Sequence, residues 1–372
     1  MDFDFSDEQL QLREAVARWA DKAYPFERRR EIERNGGFSR QAWGELAELG
    51  LTGLAIPEGQ GGLGLGPVEA MVVMEELGRG IVLEPLAQTL ICSAVLQTHA
   101  PASLQSAWLP RIAEGQSLVV LAHHERGARH SLSGCTAEAK EDGGQWTVTG
   151  TKSIVPAGDQ ADAFIVPALA GGQMALFLVE RGAAGVQTAG GYLTQDGARA
   201  AEVSLSSSPA QLITLSGLQA LEEAADIGSA CVCAEGVGVM DKTLAITAEY
   251  MNTRKQFNVP IATFQALRHR IADMKMQLEL ARSMSYYASL KLKAPEAERR
   301  QAMARARYQL GNAMRFVGQS AVQLHGGIGV TDEYIVSHYF KKLTQLEMTF
   351  GDTLHHLGEV SSRMQDTAGV FA

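Results

Sequence analysis

The spacing of apolar residues changes twice along this 372-residue chain and divides it into three parts. Up to about residue 116 the apolar positions recur at helical spacing, whereas from Ser117 to about residue 210 short β-type runs alternate with Gly and Asp turns. Helical spacing then returns, and we predict helices at about residues 219–253, 262–291, 297–324 and 332–360. The sequence therefore predicts an α+β fold with a helical domain at residues 1–116, a central β domain at 117–212 and a C-terminal helical bundle at 213–372.

Two features of the N-terminal part predict local structure. Ser6 and Gln9 are placed as the N-cap and the capping-box partner of a helix that extends to about Arg34. Further along, the Gly-rich loop Ile56–Gly66 precedes a strong helix signal at Val68–Leu77. A Gly-rich loop before a helix can cradle a phosphate, but this loop also fits a close-packed turn, and the sequence leaves both interpretations open.

The composition is that of an ordinary globular protein, with 46% hydrophobic and 20% charged residues. A net charge of -9 argues against a nucleic-acid-binding surface, because such surfaces need clustered Lys and Arg, although a local basic patch can still receive an anionic ligand. The apolar runs are interrupted before they reach membrane-spanning length. The N-terminal segment MDFDFSDEQLQLREAV is acidic and amphipathic, so we expect no signal or transit peptide and a cytoplasmic location.

The cysteines are expected to have a structural role and no metal-binding role. Their spacing does not match a metal site, and the pair at positions 231 and 233 lies in an apolar Ala/Gly-rich stretch in which small thiols pack well. The four residues are Cys92, Cys135, Cys231 and Cys233.

Two segments of the C-terminal half are far more specific than the composition. Tyr250–Gln265 reads YMNTRKQFNVPIATFQ and Gln323–Glu333 reads QLHGGIGVTDE. The first resembles the acyl-CoA dehydrogenase pattern Y-x3-R-x-x-F-G-x-P-I-x-x-F-Q, and the second resembles Q-x-x-G-G-x-G-x-x-x-E of the same family, in order and spacing. The N-terminal run F-x-x-E-Q, the loop that begins at Ile56 and the segment Glu75–Gly78 also resemble this family, so the resemblance extends over nearly the whole chain. It implies a central β-barrel-like domain and a C-terminal four-helix bundle.

The resemblance also implies an FAD site that two subunits share, and therefore an oligomer. In the family, the arginine segment reaches the FAD of the neighbouring subunit, and the Gly-Gly segment approaches a phosphate or ribose. An arginine offers a charged planar fork for a diphosphate, and glycines permit a close backbone approach. We therefore expect the FAD contacts to be Arg254, Gln256, Phe257, Gln265, Gln323, Gly326 and Gly327. Asn258 stands where the family usually has Gly, which is a mild departure because Asn tolerates positive φ.

The β domain departs further from the family pattern. In the family this domain covers the isoalloxazine ring, commonly with a Trp-x-Thr/Ser segment after a Gly-x-Lys turn. This sequence keeps the turn as Gly150–Lys152 but continues with Ser153–Pro156, so the stacking tryptophan is absent. The family's T-E-P-x-x-G-S-D stretch appears only as Ala122–Gly127, in which His123 and His124 either contact flavin or substrate or belong to a surface loop.

The carboxylate that the family uses as a base is not in its usual place. The family removes the α-proton of an acyl-CoA with a carboxylate while the β-hydrogen leaves as hydride to the flavin. That carboxylate usually comes from a Y-E-G-T segment, and the corresponding segment here is Thr349–Thr353, with Gly351 and Asp352 in its middle. Asp352 is one position away from the simplest register and one methylene shorter, and it is the catalytic candidate.

Some family members take the base from the helix that precedes the arginine segment. The corresponding point in this chain is near Gly228, with only Asp226 and Glu235 as neighbours, so this alternative position looks vacant. We interpret Asp226 as a helix cap and Glu235 as a buried polar group.

A chain with FAD segments but without the base resembles the small subunits of heteromeric acyl-CoA dehydrogenases, in which two different chains share each flavin site. Such enzymes act on bulky or dicarboxylic acyl-CoA thioesters, including sterol side chains. The resemblance therefore implies an FAD-dependent acyl-CoA dehydrogenase chain, active alone through Asp352 or with a partner. A catalytically silent flavin-binding subunit and a flavin oxidase or monooxygenase are the alternatives. The implied partners are an acyl-CoA, an electron-transfer flavoprotein and further subunits in a homo- or hetero-oligomer, dimer or tetramer.

Overall fold

The computed structural model describes residues 5–367, which form two compact units. The first unit is built from the residues up to Arg29, from Pro67–Val82 and from the residues after Gly228; the second is built from Arg30–Gly66 and Leu83–Gly228. The α-helices are α1 (Asp7–Ala23), α2 (Phe26–Arg34), α3 (Arg40–Glu48), α4 (Pro67–Arg79), α5 (Leu86–His99), α6 (Ala102–Ala113), α7 (Gly217–Thr253), α8 (Gln265–Lys291), α9 (Glu296–His325), α10 (Ile335–Met348) and α11 (Thr353–Thr367). The strands are β1 (Val119–Leu121), β2 (Glu138–Asp142), β3 (Gln145–Pro156), β4 (Ala163–Ala170), β5 (Gln173–Glu180), β6 (Val186–Leu193), β7 (Arg199–Thr214), β8 (Lys255–Gln256) and β9 (Val259–Pro260).

The order of elements confirms the predicted fold class. Helices α1–α6 come first, strands β1–β7 follow, and helices α7–α11 complete the described chain. The predicted capping box is also confirmed, because the Gln9 amide donates to Ser6 Oγ at 3.2 Å and the Ser6 amide donates to Gln9 Oε1 at 3.1 Å. The single helix predicted from Ser6 to about Arg34 is wrong, since α1 and α2 are separated at Pro25, and a residue before proline is disfavoured in the α conformation.

Five strands of the second unit close into a barrel. Strand β4 pairs with β2 along one edge and with β5 along the other, and the antiparallel pairs β5–β7, β7–β3 and β3–β2 complete the ring. Strand β1 is parallel to β4, and β6 pairs with β7. Closure leaves the five strands of the ring without an unpaired edge, and side chains such as Phe164 and Phe177 are fully buried. This barrel confirms the expected central β domain.

The Gly-rich loop Ile56–Gly66 is a close-packed turn. The amides of Gly61, Gly62 and Gly64 donate to the carbonyls of Glu58, Pro57 and Ile56 at 3.0, 3.2 and 2.8 Å. A Cβ at Gly62 would lie 2.1 Å from the Ile56 carbonyl oxygen, so only glycine fits there. Because the loop uses these amides internally, the close-packed interpretation is correct and the phosphate interpretation is not supported.

In the first unit, glycines allow the backbones of α4 and α7 to approach closely. A Cβ at Gly78 of α4 would lie 2.2 Å from the Glu235 carbonyl oxygen, and one at Gly238 of α7 would lie 1.8 Å from the Glu75 carbonyl oxygen. Neither position can accept a side chain without separation of the two helices. Gly78 of the Glu75–Gly78 segment therefore allows α4 to pack closely against α7.

A cluster of charged residues joins four helices of the same unit around Glu75. Its Oε2 atom accepts from Arg13 of α1 at 2.9 Å and from Arg282 of α8 at 3.2 Å, and Arg282 also contacts Asp241 of α7 at 3.2 Å. The side chain of Glu75 is only 4% exposed. Burial raises its pKa to about 7, although Arg282 and Arg13 oppose the shift while Glu76 and Asp241 add to it.

We expect Glu75→Gln to change how stability depends on pH. The folded pKa of about 7 lies above the ordinary value of 4.5, so the stability linked to this group is present below pH 4.5 and is lost as the pH rises through 7. Relative to wild type, the variant should gain about 2 kcal/mol of unfolding free energy between pH 5 and pH 8. Denaturant titrations at both pH values measure this gain. Glu279→Gln is the control, because the pKa of Glu279 is lowered and its carboxylate stays ionised over that range. The prediction would be contradicted if the unfolding free energies of Glu75→Gln and wild type changed by the same amount between the two pH values.

Two general expectations concern thiols and membranes. Burial raises the pKa of Cys92, Cys231 and Cys233, as expected of inert packed thiols. Within residues 5–367, no three His, Cys, Asp or Glu side chains are grouped so that they could hold a metal ion. No helix in that range has both the length and the apolar character needed to cross a membrane.

Candidate functional site

The predicted arginine segment forms a small hairpin at the end of α7. Strand β8 pairs with β9, with Lys255 opposite Pro260 and Gln256 opposite Val259. The two-residue turn has positive φ at both positions, 52° at Phe257 and 63° at Asn258, which is the backbone of a type I′ turn. Asn258 therefore adopts the conformation for which the family uses Gly. Positive φ is costly for a bulky aromatic residue, so the fold holds Phe257 in a strained position.

The hairpin presents its functional candidates to the outside of the chain. Arg254 and Gln256 are exposed, and the Phe257 side chain is 87% exposed. The ring of Phe257 contacts the chain edge-on through Phe264, with 6.1 Å between ring centroids. An aromatic side chain that is held in a strained turn and left open to solvent is expected at a surface that binds a ligand or another subunit.

The predicted glycine segment ends α9 and forms a 3₁₀ turn at Gly326–Val330. Gly326 has a φ of 65° and caps the helix. No described atom of the chain, other than those of the adjoining residues, lies within 4 Å of the position of a Cβ at Gly326 or at Gly327. The space in front of both residues is open, so another molecule can approach their backbone.

Aromatic stacking brings the arginine and glycine segments together. The imidazole of His325, directly before the glycines, stacks on the ring of Tyr250, one turn before Arg254, with 4.4 Å between ring centroids and 28° between planes. The Tyr250 hydroxyl donates to the His325 carbonyl oxygen at 3.2 Å. The two segments that resemble the family are therefore neighbours within one chain.

Gln323 lies in an open groove of about 410 Å³ between α8 and α9. The groove is also lined by Arg270, Asp273, Phe316, Gln319 and Ser320. Gln265 is the exposed first residue of α8, and its amide nitrogen lies 3.5 Å from His269 Nε2. The structure thus places all seven predicted cofactor contacts in the first unit, on the α7–α8 connection and at the end of α9.

The candidate base lies on a loop that divides the helix predicted at residues 332–360. Phe350 and Gly351 have φ values of 57° and 106°, which end α10 before α11 begins. Arg307, which is 1% exposed, contacts the backbone of this loop with its guanidinium group. Its Nη2 atom lies 3.1, 3.2, 2.7 and 3.0 Å from the carbonyl oxygens of Leu346, Glu347, Thr349 and Gly351, which share its two N–H donors.

Asp352 is the N-cap of α11. Its Oδ1 atom accepts from the His355 amide at 2.7 Å, and its side chain is half-buried. Such a bond stabilises the ionised carboxylate and orients it along the helix start. The local geometry therefore gives this carboxylate a structural role as a helix cap.

The position of the family's glutamate, at Gly351 in the simplest register, is obstructed. A Cβ at Gly351 would lie 2.5 Å from His355 Cδ2 and 2.9 Å from His356 Nε2. The two imidazoles contact each other edge-on, with 5.1 Å between centroids, and His356 Nε2 hydrogen-bonds to the Phe350 carbonyl at 3.1 Å. Histidine rings thus fill the space that a side chain at residue 351 would need.

The alternative base position does not offer a free carboxylate either. Gly228 lies inside α7, and Glu235 forms a buried ion pair with Lys342 at 2.6 Å. The interpretation of Asp226 as a helix cap is wrong, because α7 already begins at Gly217. The observed start of α7 lies close to the predicted start at about residue 219.

In the second unit, Gly150–Lys152 lies within strand β3, so the predicted turn is wrong, and Lys152 forms a buried ion pair. Lys152 is fully buried, and its Nζ donates to Glu125 Oε1 at 2.5 Å and to the Pro167 carbonyl at 2.8 Å. Next to this pair, His124 Nδ1 lies 3.0 Å from Ser153 Oγ, and Ile154 is 47% exposed with a φ of 52°. A β-branched residue with positive φ is a genuine outlier, so this segment is strained where the family has its tryptophan segment.

Burial keeps the neighbouring histidines neutral at ordinary pH. It lowers the pKa of His123 to about 4, with smaller contributions from His124 and Lys152. It also lowers the pKa of His124, with His130 as the next cause. Both residues are half-buried, and their contact with flavin or substrate stays a prediction.

The chain is similar to known proteins in both sequence and fold. Residues 6–116 match the family model of the acyl-CoA dehydrogenase N-terminal domain, and residues 216–364 match that of the C-terminal domain. The acyl-CoA dehydrogenase IpdE2 of Mycolicibacterium smegmatis is 30% identical over 91% of this chain and 92% of its own length. The chain belongs to the acyl-CoA dehydrogenase family. Members of this family are FAD-containing oxidoreductases that act on CH–CH groups.

Two solved structures of the acyl-CoA dehydrogenase fold are close neighbours. A variant of the steroid ACAD Tcur3481-Tcur3483 has a TM-score of 0.90 and 29% identity, and the match covers 98% of this chain and 99% of that one. The ChsE4-ChsE5 complex from Mycobacterium tuberculosis has a TM-score of 0.89 and 26% identity, with coverage of 99% and 100%. The name of each of these two structures gives two protein components.

The residues of the first unit fit an FAD in three respects. The exposed guanidinium of Arg254 suits a diphosphate, the open faces of Gly326 and Gly327 admit a ligand, and the exposed Phe257 ring offers a stacking surface. These residues would hold the dinucleotide, and FAD when bound supplies the hydride acceptor for oxidation of a CH–CH bond. Sequence reasoning missed Arg307, His325, His355 and His356. The His-Gly-Gly order was the only local signal for His325, and the others act through contacts distant in sequence.

Proposed function

We propose that this chain is an FAD-binding subunit of an acyl-CoA dehydrogenase that works with a second chain carrying the catalytic carboxylate. The reaction removes the α-proton of an acyl-CoA thioester to that carboxylate and the β-hydrogen as hydride to FAD, which leaves a trans-2-enoyl thioester. This chain contributes the hairpin residues Arg254, Gln256 and Phe257, with Gln265, and the segment that contains Gln323, Gly326 and Gly327. Electrons then pass to an electron-transfer flavoprotein.

The obstructed position at Gly351 carries this proposal. A base must project from the loop toward the substrate, but His355 and His356 occupy the space that a side chain at residue 351 would need. Arg307 binds four carbonyls around the same loop, so the loop cannot move aside without loss of several buried hydrogen bonds to a charged group. The chain therefore keeps a cofactor surface while its own base position is closed.

The neighbours support a two-chain assembly and a bulky substrate. The names of the two solved structures give pairs of components, and one describes a steroid acyl-CoA dehydrogenase. By similarity, we extend both features to this chain: a heteromeric assembly and an acyl-CoA thioester with a large, sterol-like acyl group.

A self-sufficient dehydrogenase that uses Asp352 is the second candidate. It is favoured by the location of a half-buried carboxylate next to the usual base position. The hydrogen bond from the His355 amide opposes it, because a base engaged as a helix cap must leave its cap to reach a substrate proton.

Anaerobic titration with acyl-CoA thioesters tests the proposal. The chain is purified alone and together with a candidate partner that has an intact glutamate, and the flavin absorbance is followed after each addition. We expect bleaching only in the two-chain assembly, at a rate that Asp352→Asn changes by less than about threefold. Loss of the partner's carboxylate should lower the rate at least about 1,000-fold, as expected for a general base in a positioned site. Bleaching of the single chain that disappears in Asp352→Asn would overturn the proposal in favour of the second candidate.

A further inference from the structure

A cluster of three aromatic rings adjoins the two cofactor segments: Tyr250 and His325 are stacked, and Tyr334 is tilted against both. His325 ends α9, Tyr250 lies in the last turns of α7, and Tyr334 directly precedes α10. The ring centroid of His325 is 4.4 Å from that of Tyr250 and 5.3 Å from that of Tyr334, and the two tyrosine rings are 6.2 Å apart. The three rings therefore form a triangle in which each ring contacts the other two, and the imidazole contributes two of the three contacts.

Hydrogen bonds fix the orientation and the neutral state of this imidazole. His325 Nδ1 lies 2.8 Å from the Ala321 carbonyl oxygen, which can only accept, so the ring proton is on Nδ1. No described group bonds to Nε2, although that atom is buried, and burial also lowers the pKa of the ring. A neutral ring with no group to pair a charge suits aromatic contacts with both tyrosines.

Hydrogen bonds connect Tyr250 with both cofactor segments. Tyr250 is one turn before Arg254, and the Arg254 amide donates to the Tyr250 carbonyl at 2.8 Å. The Tyr250 hydroxyl donates to the His325 carbonyl at 3.2 Å, immediately before Gly326. The arginine hairpin and the glycine turn are therefore linked by this hydrogen bond and by the stacked rings of Tyr250 and His325.

We propose that His325 is a positioning residue of the cofactor site, which aligns the Arg254 hairpin with the Gly326–Gly327 turn before FAD binds. This inference rests on the proposed FAD function. His325 is 3% exposed, so it acts through its neighbours and does not itself contact the ligand. Two exposed segments that are already aligned lose less conformational freedom on binding, and this raises affinity for a ligand that spans both.

The rate of FAD loss from the holoprotein tests the inference, together with the dissociation constant for FAD after reversible removal of the flavin. We expect His325→Ala, which removes the ring, to raise both by about tenfold, because it loses two aromatic contacts and the alignment they give. His325→Phe keeps a stacked ring and should stay within about threefold of wild type. Leu310→Ala is the control, since Leu310 is a fully buried core residue of the same helix and its loss lowers stability without touching the stack.

Each outcome has a distinct meaning. The inference is overturned if His325→Ala retains FAD as well as wild type does. It is overturned as well if Leu310→Ala, with the same melting temperature as His325→Ala, releases FAD as fast as His325→Ala does. It is also overturned if His325→Phe is as weak as His325→Ala, because the ring would then not be the determinant. A wild-type assembly that binds FAD and is not reduced by any acyl-CoA would refute the proposed dehydrogenation, while the comparison among the variants would still measure the positioning role.

Discussion

Arg254→Met should weaken FAD binding by about 100-fold, the largest effect we expect at the cofactor surface. Arg254 is exposed at the end of α7, and the hairpin that follows it fixes its backbone, because the Ile261 amide donates to the Arg254 carbonyl at 2.9 Å. Hydrogen bonds between a charged donor and a phosphate are each worth about 1.5–3 kcal/mol, and methionine replaces the aliphatic stem of the arginine but none of its donors. Titration of the flavin-free protein with FAD, followed by flavin fluorescence, measures the change.

Two further variants show whether the fork or only the charge matters. Arg254→Lys keeps the charge but loses the planar fork, so we expect an intermediate loss of about tenfold. Lys255→Met is the matched control, because it removes an exposed positive charge from the next residue of the same hairpin. Equal effects of Arg254→Met and Lys255→Met would mean that the segment acts through general electrostatic attraction, and would contradict a specific diphosphate contact.

The parts of the fold that could be predicted from sequence depend on local rules. The capping box at Ser6 and Gln9 is a contact between residues three apart, and the change to β-type runs after Ser117 reflects a change of side-chain period. The positive φ of Asn258 is likewise a property of one residue in a two-residue turn. Where a local signal was decisive, as at these positions, structure and sequence agree.

The parts that sequence reasoning missed depend on long-range contacts. Arg307 binds carbonyls about forty residues later in the chain, and this binding ends α10 where the pattern predicts one continuous helix. The obstruction at Gly351 needs the positions of two imidazoles that follow the turn, which the spacing alone does not give. The pattern indicated Thr349–Thr353 as the segment that corresponds to the family's base. It did not show that Asp352 caps a new helix, since the helix boundary itself was absent from the prediction.

A similar long-range contact accounts for the buried lysine of the Gly-x-Lys motif, which lies within strand β3 and not in the predicted turn. Lys152 is fully buried and paired with Glu125, whose carboxylate also accepts from the Thr136 and Ala137 amides at 2.8 and 3.2 Å. Burial alone would raise the pKa of Glu125, but the hydrogen bonds from Lys152 and Thr136 outweigh it and lower the pKa to about 2. The stability linked to this carboxylate is therefore present above pH 4.5 and is lost as the pH falls toward 2.

Lys152→Met should lower the unfolding free energy by about 3–5 kcal/mol, because it leaves the Glu125 carboxylate buried without its cation. The double variant Lys152→Met/Glu125→Gln should recover at least half of that loss, since the neutral amide oxygen still accepts from the backbone amides but no longer needs a positive partner. Urea denaturation of the wild type, both single variants and the double variant gives the coupling energy between the two residues. A double variant as unstable as the sum of the single variants would show that the two side chains contribute independently, and the pair would then not be the reason that Lys152 lies inside the barrel.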